Sequence, residues 1–247
     1  MSGVITGMAS AITYNGVPLT DLGSFKLQVK TETDTFRTLD EPMQKAVACF
    51  KEWSMDISIE GTLPARSYGV VSAGGWDGAY LKEWDIEINA EEDDVPAQDL
   101  VWKLRSLSGL NWKASSTRWV MSNNAGLFRK ALANSDGSLV NFASPIISGQ
   151  VLYEQTEEEF KPAPNEEKLD LLGSGLFTVG TYWQELVNVF TVYRQQLQSQ
   201  RYADPGTISI VNVGQGQGYL TKLSAKSDGK RLKIDVSASS YGEPSFT

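Results

Sequence analysis

The side chains able to do chemistry in this chain are defined first by one absence. None of its 247 residues is histidine. Histidine is the usual general base near neutral pH and the commonest metal ligand. Ser-His-Asp and Cys-His machinery is therefore excluded, as are zinc sites of the usual kind. Carboxylate chemistry, a Ser–Lys pair or a borrowed cofactor would remain. Cys49 is the single cysteine, so no internal disulfide can form. It lies in Ala46-Val47-Ala48-Cys49-Phe50 and reads as a small buried hydrophobe, because a reactive thiol needs a base or cation beside it.

Three other groupings invite a chemical reading. The acidic runs at 91–94 and 157–159 could attract calcium, but neither has the alternating Asp spacing or the closing glutamate of a calcium loop. They read as solvated charge. Gly214-Gln215-Gly216-Gln217-Gly218 is spaced like a phosphate cradle, yet it lies between two expected strands and opens no helix. It reads as a hairpin loop. The seven tryptophans could line a sugar-binding groove. Trp53 and Trp84, however, sit on the apolar phase of alternating strands and belong to a core; Trp76, Trp112 and Trp119 are left open. No catalytic residue, metal ligand or cofactor site emerges, and an enzyme is the weakest of the readings.

Composition sets the frame for these residues. Hydrophobic residues make up 41% and charged residues 21%, the profile of a globular chain and not of a disordered one. No apolar run approaches the ~20 residues that span a bilayer. The opening Met1-Ser2-Gly3-Val4-Ile5-Thr6-Gly7 lacks the basic and apolar regions of a secretory signal, so synthesis and retention in a cytoplasm are expected. A net charge of −8 argues against gripping nucleic acid by phosphate neutralisation. The one compact basic group, Lys226, Lys230, Arg231 and Lys233, brackets a turn.

Periodicity predicts a mainly β fold, an antiparallel sandwich or barrel with two helices packed on the sheets. Asn15-Gly16 marks a tight hairpin, and Pro18 puts its second strand at an edge. Phe25, Leu27 and Val29 alternate with polar residues. The clearest strand is 53–60, apolar at Trp53, Met55, Ile57 and Ile59; Trp84, Ile86 and Ile88 repeat the pattern, and the two are expected to pair as a long hairpin. The connection at 61–83 is long, glycine-rich and aromatic, which suits a partner-facing arm. Acids at 91–94 followed by Leu100, Leu104 and Leu107 predict a helix stopped by Gly109. A second helix, from Thr181 to about Gln200, buries Trp183, Leu186, Val187, Phe190, Tyr193 and Leu197. Further strands are expected at 118–121, 138–142, 146–154, 207–213, 219–224 and 231–238.

The order of these features resembles the opening of bacteriophage tail tube proteins and of the distal tail proteins that share their fold. The resemblance rests on Asn15-Gly16, then Gly23-Ser24-Phe25-Lys26-Leu27, a loop with Thr31 to Asp40, the alternating strand 53–60, and Gly109-Leu110-Asn111-Trp112 after the helix. It covers residues 1–155, with 156–168 as an acidic, proline-bearing linker or excursion and 169–247 as a second subdomain or insertion. It implies a virion structural protein that forms rings, hexameric in that family, with neighbouring tail proteins as partners, no cofactor and no membrane. It also implies a lumen through which DNA passes unbound, anionic if the subunit's acidity reaches it. Loop 61–83 would then touch the next ring through Arg66, Tyr68, Trp76 and Tyr80, and Asp56, Ser58 and Glu60 would face the lumen or solvent. A distal tail or baseplate hub adaptor is the alternative within that class. A capsid decoration protein and a surface-glycan-binding module are the alternatives outside it.

Overall fold

The structure, a computed structural model, describes residues 12–19, 22–36, 45–62, 70–72, 79–95, 101–120, 139–159, 165–200, 202–228 and 231–246. Asn15 and Gly16, with φ of +50° and +80°, turn β1 (Ile12–Tyr14) into β2 (Val17–Leu19). β2 bonds only to β1, so the missing N–H of Pro18 is accommodated at an edge. Two long strands follow, β3 (Leu22–Phe36) and β4 (Lys45–Thr62), then the short β5 (Val70–Ser72). Next come β6 (Ala79–Val95), β7 (Leu104–Val120), β8 (Val140–Ala143), β9 (Ile147–Glu159) and β10 (Asn165–Val179). One helix, α1 (Gln184–Gln200), precedes β11 (Gly206–Ile210), β12 (Gly214–Ser227), β13 (Arg231–Ser240) and β14 (Ser245–Phe246).

All strand pairings among the described residues are antiparallel and belong to one sheet. Starting from β3, which has a neighbour on one side only among the described strands, the order is β3, β4, β13, β12, β6, then β7, β10, β9, β8 and β5, with β5 meeting the start of β6. β11 and β1 continue from the other half of β12. Hydrogen-bonded neighbours thus come from both sides of the 156–168 stretch. That stretch itself includes the facing ends of β9 and β10, with Glu157 opposite Lys168.

The period-two strands place their apolar phase inward. Trp53, Met55, Ile57 and Ile59 pack with Trp84, Ile86, Ile88, Leu223, Leu232, Ile234 and Val236, all buried. The two strongest strands do not form a hairpin with each other, however. β13 and β12 intervene between β4 and β6. Alternation fixes which face is buried and carries no information about which strand lies alongside.

Two further expectations are corrected. Acids 91–94 continue strand β6, and Leu104 and Leu107 open β7; no helix forms there. The reason is a β-bulge: Glu91 faces Gly109 and Glu92 faces Leu107, so Ser108 is the extra residue. Gly109 is part of that irregularity and not a helix stop. Gly214 to Gly218 is likewise not a loop but the start of β12. Gly216 and Gly218 are buried beneath Trp53, whose ring would lie 2.6 Å from a Cβ on Gly216.

The expected second helix is present. Leu186, Val187, Phe190 and Tyr193 are its buried residues. Tyr193 fixes it to the sheet: its hydroxyl accepts a bond from the Leu220 N–H and pairs with the Tyr14 hydroxyl. Burial pushes the Tyr14 hydroxyl up to about 12, so this contact stays uncharged at neutral pH.

Candidate assembly surface

The polar phase of the sheet forms one broad face. Asp56 and Glu60 are exposed there and Ser58 is half-buried, opposite the Trp53–Ile59 phase of the same strand. Their cross-strand neighbours are mostly of opposite charge or neutral. Asp56 lies between Lys26 and Ser237, whose Oγ donates to it at 2.9 Å, and Glu60 lies beside Lys233. Further across, Glu87 accepts from Asn89 at 2.8 Å and contacts Lys222 at 3.1 Å and Lys113 at 3.4 Å. Burial pushes Glu87 up, but Asn89, Lys222 and Lys113 outweigh it, leaving the carboxyl below its ordinary value. Asp85, pushed up mainly by burial, meets Lys226 across the ladder. The face is a lattice of paired charges, not a bare acidic wall.

A cleft of about 430 Å³ opens on this face between Asp85, Glu87, Lys113, Glu154 and Asp170. Its lining holds four carboxylates and one lysine, Lys113. Among the described residues, no group of three or more His, Cys, Asp or Glu side chains is placed to hold a metal ion.

The second feature is an arm. β13 accompanies β4 only as far as Ser54, and Lys51 makes the last described backbone contact with the body, exchanging bonds with Val101 and Lys103. Beyond it, residues 31–36 and 45–50 pair with each other, and no other described strand flanks them. Six residues of strand reach about 20 Å. Every residue from 45 to 50 is exposed, including Cys49. The buried thiol expected from sequence is thus corrected: among the described residues no second layer covers the arm. Phe36 and Val47 are diagonal neighbours on one of its faces, 46% and 47% exposed. The loop expected from Thr31 is strand as far as Phe36, as its Thr-x-Thr-x-Thr alternation allows.

At the arm's base the charges gather. Lys103 Nζ bonds Glu32 at 2.6 Å and approaches Asp94 at 3.6 Å. Arg105 pairs with Glu52 and lies 3.5 Å from both Glu92 and Asp94, while Lys30 reaches Glu52 at 3.3 Å. Burial pushes Glu92 above its ordinary value, opposed by the Ser239 hydroxyl and Arg105. Acids 92 and 94 therefore serve cross-strand pairing, where the sequence suggested a helix start.

Of the residues expected to touch a neighbouring ring, Arg66, Tyr68 and Trp76 lie outside the described residues. Tyr80 is in β6 with its backbone opposite Val70; its side chain lies outside the description. Trp53, Trp84 and Trp112 are buried, so none of these three offers a sugar a surface platform. Sequence reading missed the arm; its signal was the run of exposed-type Thr, Lys and Glu flanking small apolar residues, a pattern with no partner in any core.

No protein family matches this chain, and no characterised protein matches it in sequence. Among solved structures, a chain of the virion of a native gene transfer agent particle is similar over 47% of this chain and 98% of its own, at 15% identity and a TM-score of 0.38. A chain from the tail of an empty gene transfer agent particle, refined with C6 symmetry, matches over the same shares at 13% identity and a TM-score of 0.37. At such scores neither likeness carries a function over to this chain. No helix among the described residues is long and apolar enough to cross a membrane.

Proposed function

We propose that this chain is a structural subunit of a virus tail that works by assembling with copies of itself into rings, of the tube first and of its distal end second. The observation that carries this reading is the open β3 edge with its projecting arm. A two-stranded hairpin without a covering layer is marginal by itself. An uncovered strand edge is a liability that monomers normally blunt. Here both occur together, with Phe36, Val47 and Phe50 exposed along the same arm. A neighbouring copy supplies the missing strand and the missing layer. The strand order and alternation set out from the sequence support a tail protein as the class.

In this reading six copies close the ring, as in the family resembled. The polar face, with Asp56, Ser58 and Glu60, lines the lumen or the outer wall. DNA passing it would meet charges already paired, with little net attraction or repulsion. Arg66, Tyr68, Trp76 and Tyr80 remain candidates for contact between rings.

The arm is the point to test. Val47→Asp together with Phe36→Ser leaves the core untouched and removes the apolar spot. Assembly, followed by light scattering, is expected to need a roughly tenfold higher concentration. Unchanged assembly by a folded double variant would remove the arm from the interface.

A further inference from the structure

Among the described residues no apolar packing sets the arm's direction. Residues 31–36 and 45–50 contribute nothing to the buried core, and the strand ladder on β4's other side ends at Ser54. Immediately beyond Lys51 the β3–β4 register slips: Thr31 faces Lys51 but Thr33 faces Ala48. A bulge at that position bends a ribbon and lets it twist. Glu32 lies on the slipped stretch, and its carboxylate is held by Lys103 at 2.6 Å from a segment fixed to the body. That segment is anchored on both sides, by Lys103 N–H to the Lys51 carbonyl at 2.9 Å and by Gly242 N–H to the Lys103 carbonyl at 3.1 Å. Lys103 also faces Asp94, and Arg105 gathers Glu52, Glu92 and Asp94 behind it. Lys30 and the Ser239 hydroxyl complete the charged and polar groups that meet there.

We propose that this cluster is an electrostatic catch: the bulge of Cys49 and Phe50 opposite Glu32 is a pivot, and the Glu32–Lys103 pair, backed by Asp94, Arg105 and Glu52, fixes the angle at which the arm leaves the sheet. Lys103 and Glu32 are 16% and 37% exposed, so salt reaches the pair. Breaking the catch frees the arm without unfolding the sheet, since the backbone bridge at Lys51 and the core beyond Trp53 do not depend on it. The inference concerns the single chain and does not rest on the assembly reading.

Cys49 supplies the probe. It is the chain's only cysteine, exposed, and one of the two bulge residues at the pivot itself. A nitroxide on Cys49 of the unassembled full chain reports arm motion by electron paramagnetic resonance. The expected result is a restricted spectrum at low salt. Lys103→Gln, Glu32→Gln or molar sodium chloride should each raise mobility severalfold. Lys103→Arg, which keeps the cation that Glu32 and Asp94 face, should keep the restriction. Lys233→Gln, which breaks the 3.1 Å contact with Asp235 on the polar face, is the control and should change nothing. Thermal melting confirms that each variant is folded. Equal mobility in the folded Lys103→Gln and Glu32→Gln variants and the parent, or Lys103→Arg as mobile as Lys103→Gln, would overturn the proposal.

Discussion

Arg118 and Glu167 face each other across β7 and β10, ion-paired and essentially without exposure. Two charges taken from water are tolerable only together. Arg118→Met alone is therefore expected to cost about 3–5 kcal/mol, while Arg118→Met with Glu167→Leu recovers most of it; urea denaturation of the three proteins measures this. Gly216 offers a second residue-scale test. A Cβ there would press on the buried Trp53 indole, so Gly216→Ala is expected to cost about 1–3 kcal/mol in the same assay. The polar face provides a pH test with opposite signs. Asp85 has a raised carboxyl, so its contribution to stability is present below the ordinary aspartate value and lost as pH rises through the raised one. Asp85→Asn should gain on the parent protein from about pH 4 upward in thermal melts. Glu87, lowered by its partners, behaves in reverse: its contribution is present at neutral pH and lost as pH falls through its lowered value.

Among elements, the legible ones were those whose side chains show a single period over several residues. Strand 53–60 and helix α1 were readable because an uninterrupted alternation, or an i, i+3, i+4 stripe, needs no knowledge of neighbours. β7 was not. Leu100, Leu104 and Leu107 follow one another at helical spacings of four and three, and the period-two alternation of β7 sets in only beyond the bulge at Ser108. Pairing between distant strands was equally illegible, since β13 lies more than a hundred residues from the strand β4 that it adjoins. The arm was hidden because exposed strands carry no apolar phase to detect. Its marginal two-stranded pairing yields a prediction at this scale. Amides of residues 31–36 and 45–50 should exchange with solvent far faster than those of 54–62 in the unassembled chain, and slow markedly on assembly, as hydrogen-exchange mass spectrometry would show.

The molecule as a whole combines a well-filled core with an edge left open. The sheet buries Trp53, Trp84 and Trp112 and the inner phase of β13, and α1 is bolted on through Tyr193. Its outer face balances acid with lysine, so the chain's net charge of −8 is not concentrated around Asp56, Ser58 and Glu60. What the core does not use, the β3 edge and its arm, is where a neighbour would add strands and cover Phe36 and Val47. Self-assembly through that edge is the central claim. The most direct test is negative-stain electron microscopy of the concentrated, untagged protein beside the arm variant carrying Val47→Asp and Phe36→Ser. Rings or tubes around a central hole, formed by the parent and lost in the variant, are the expected result. A parent protein that stays monomeric at every concentration, or a folded variant that forms the same rings, would contradict it.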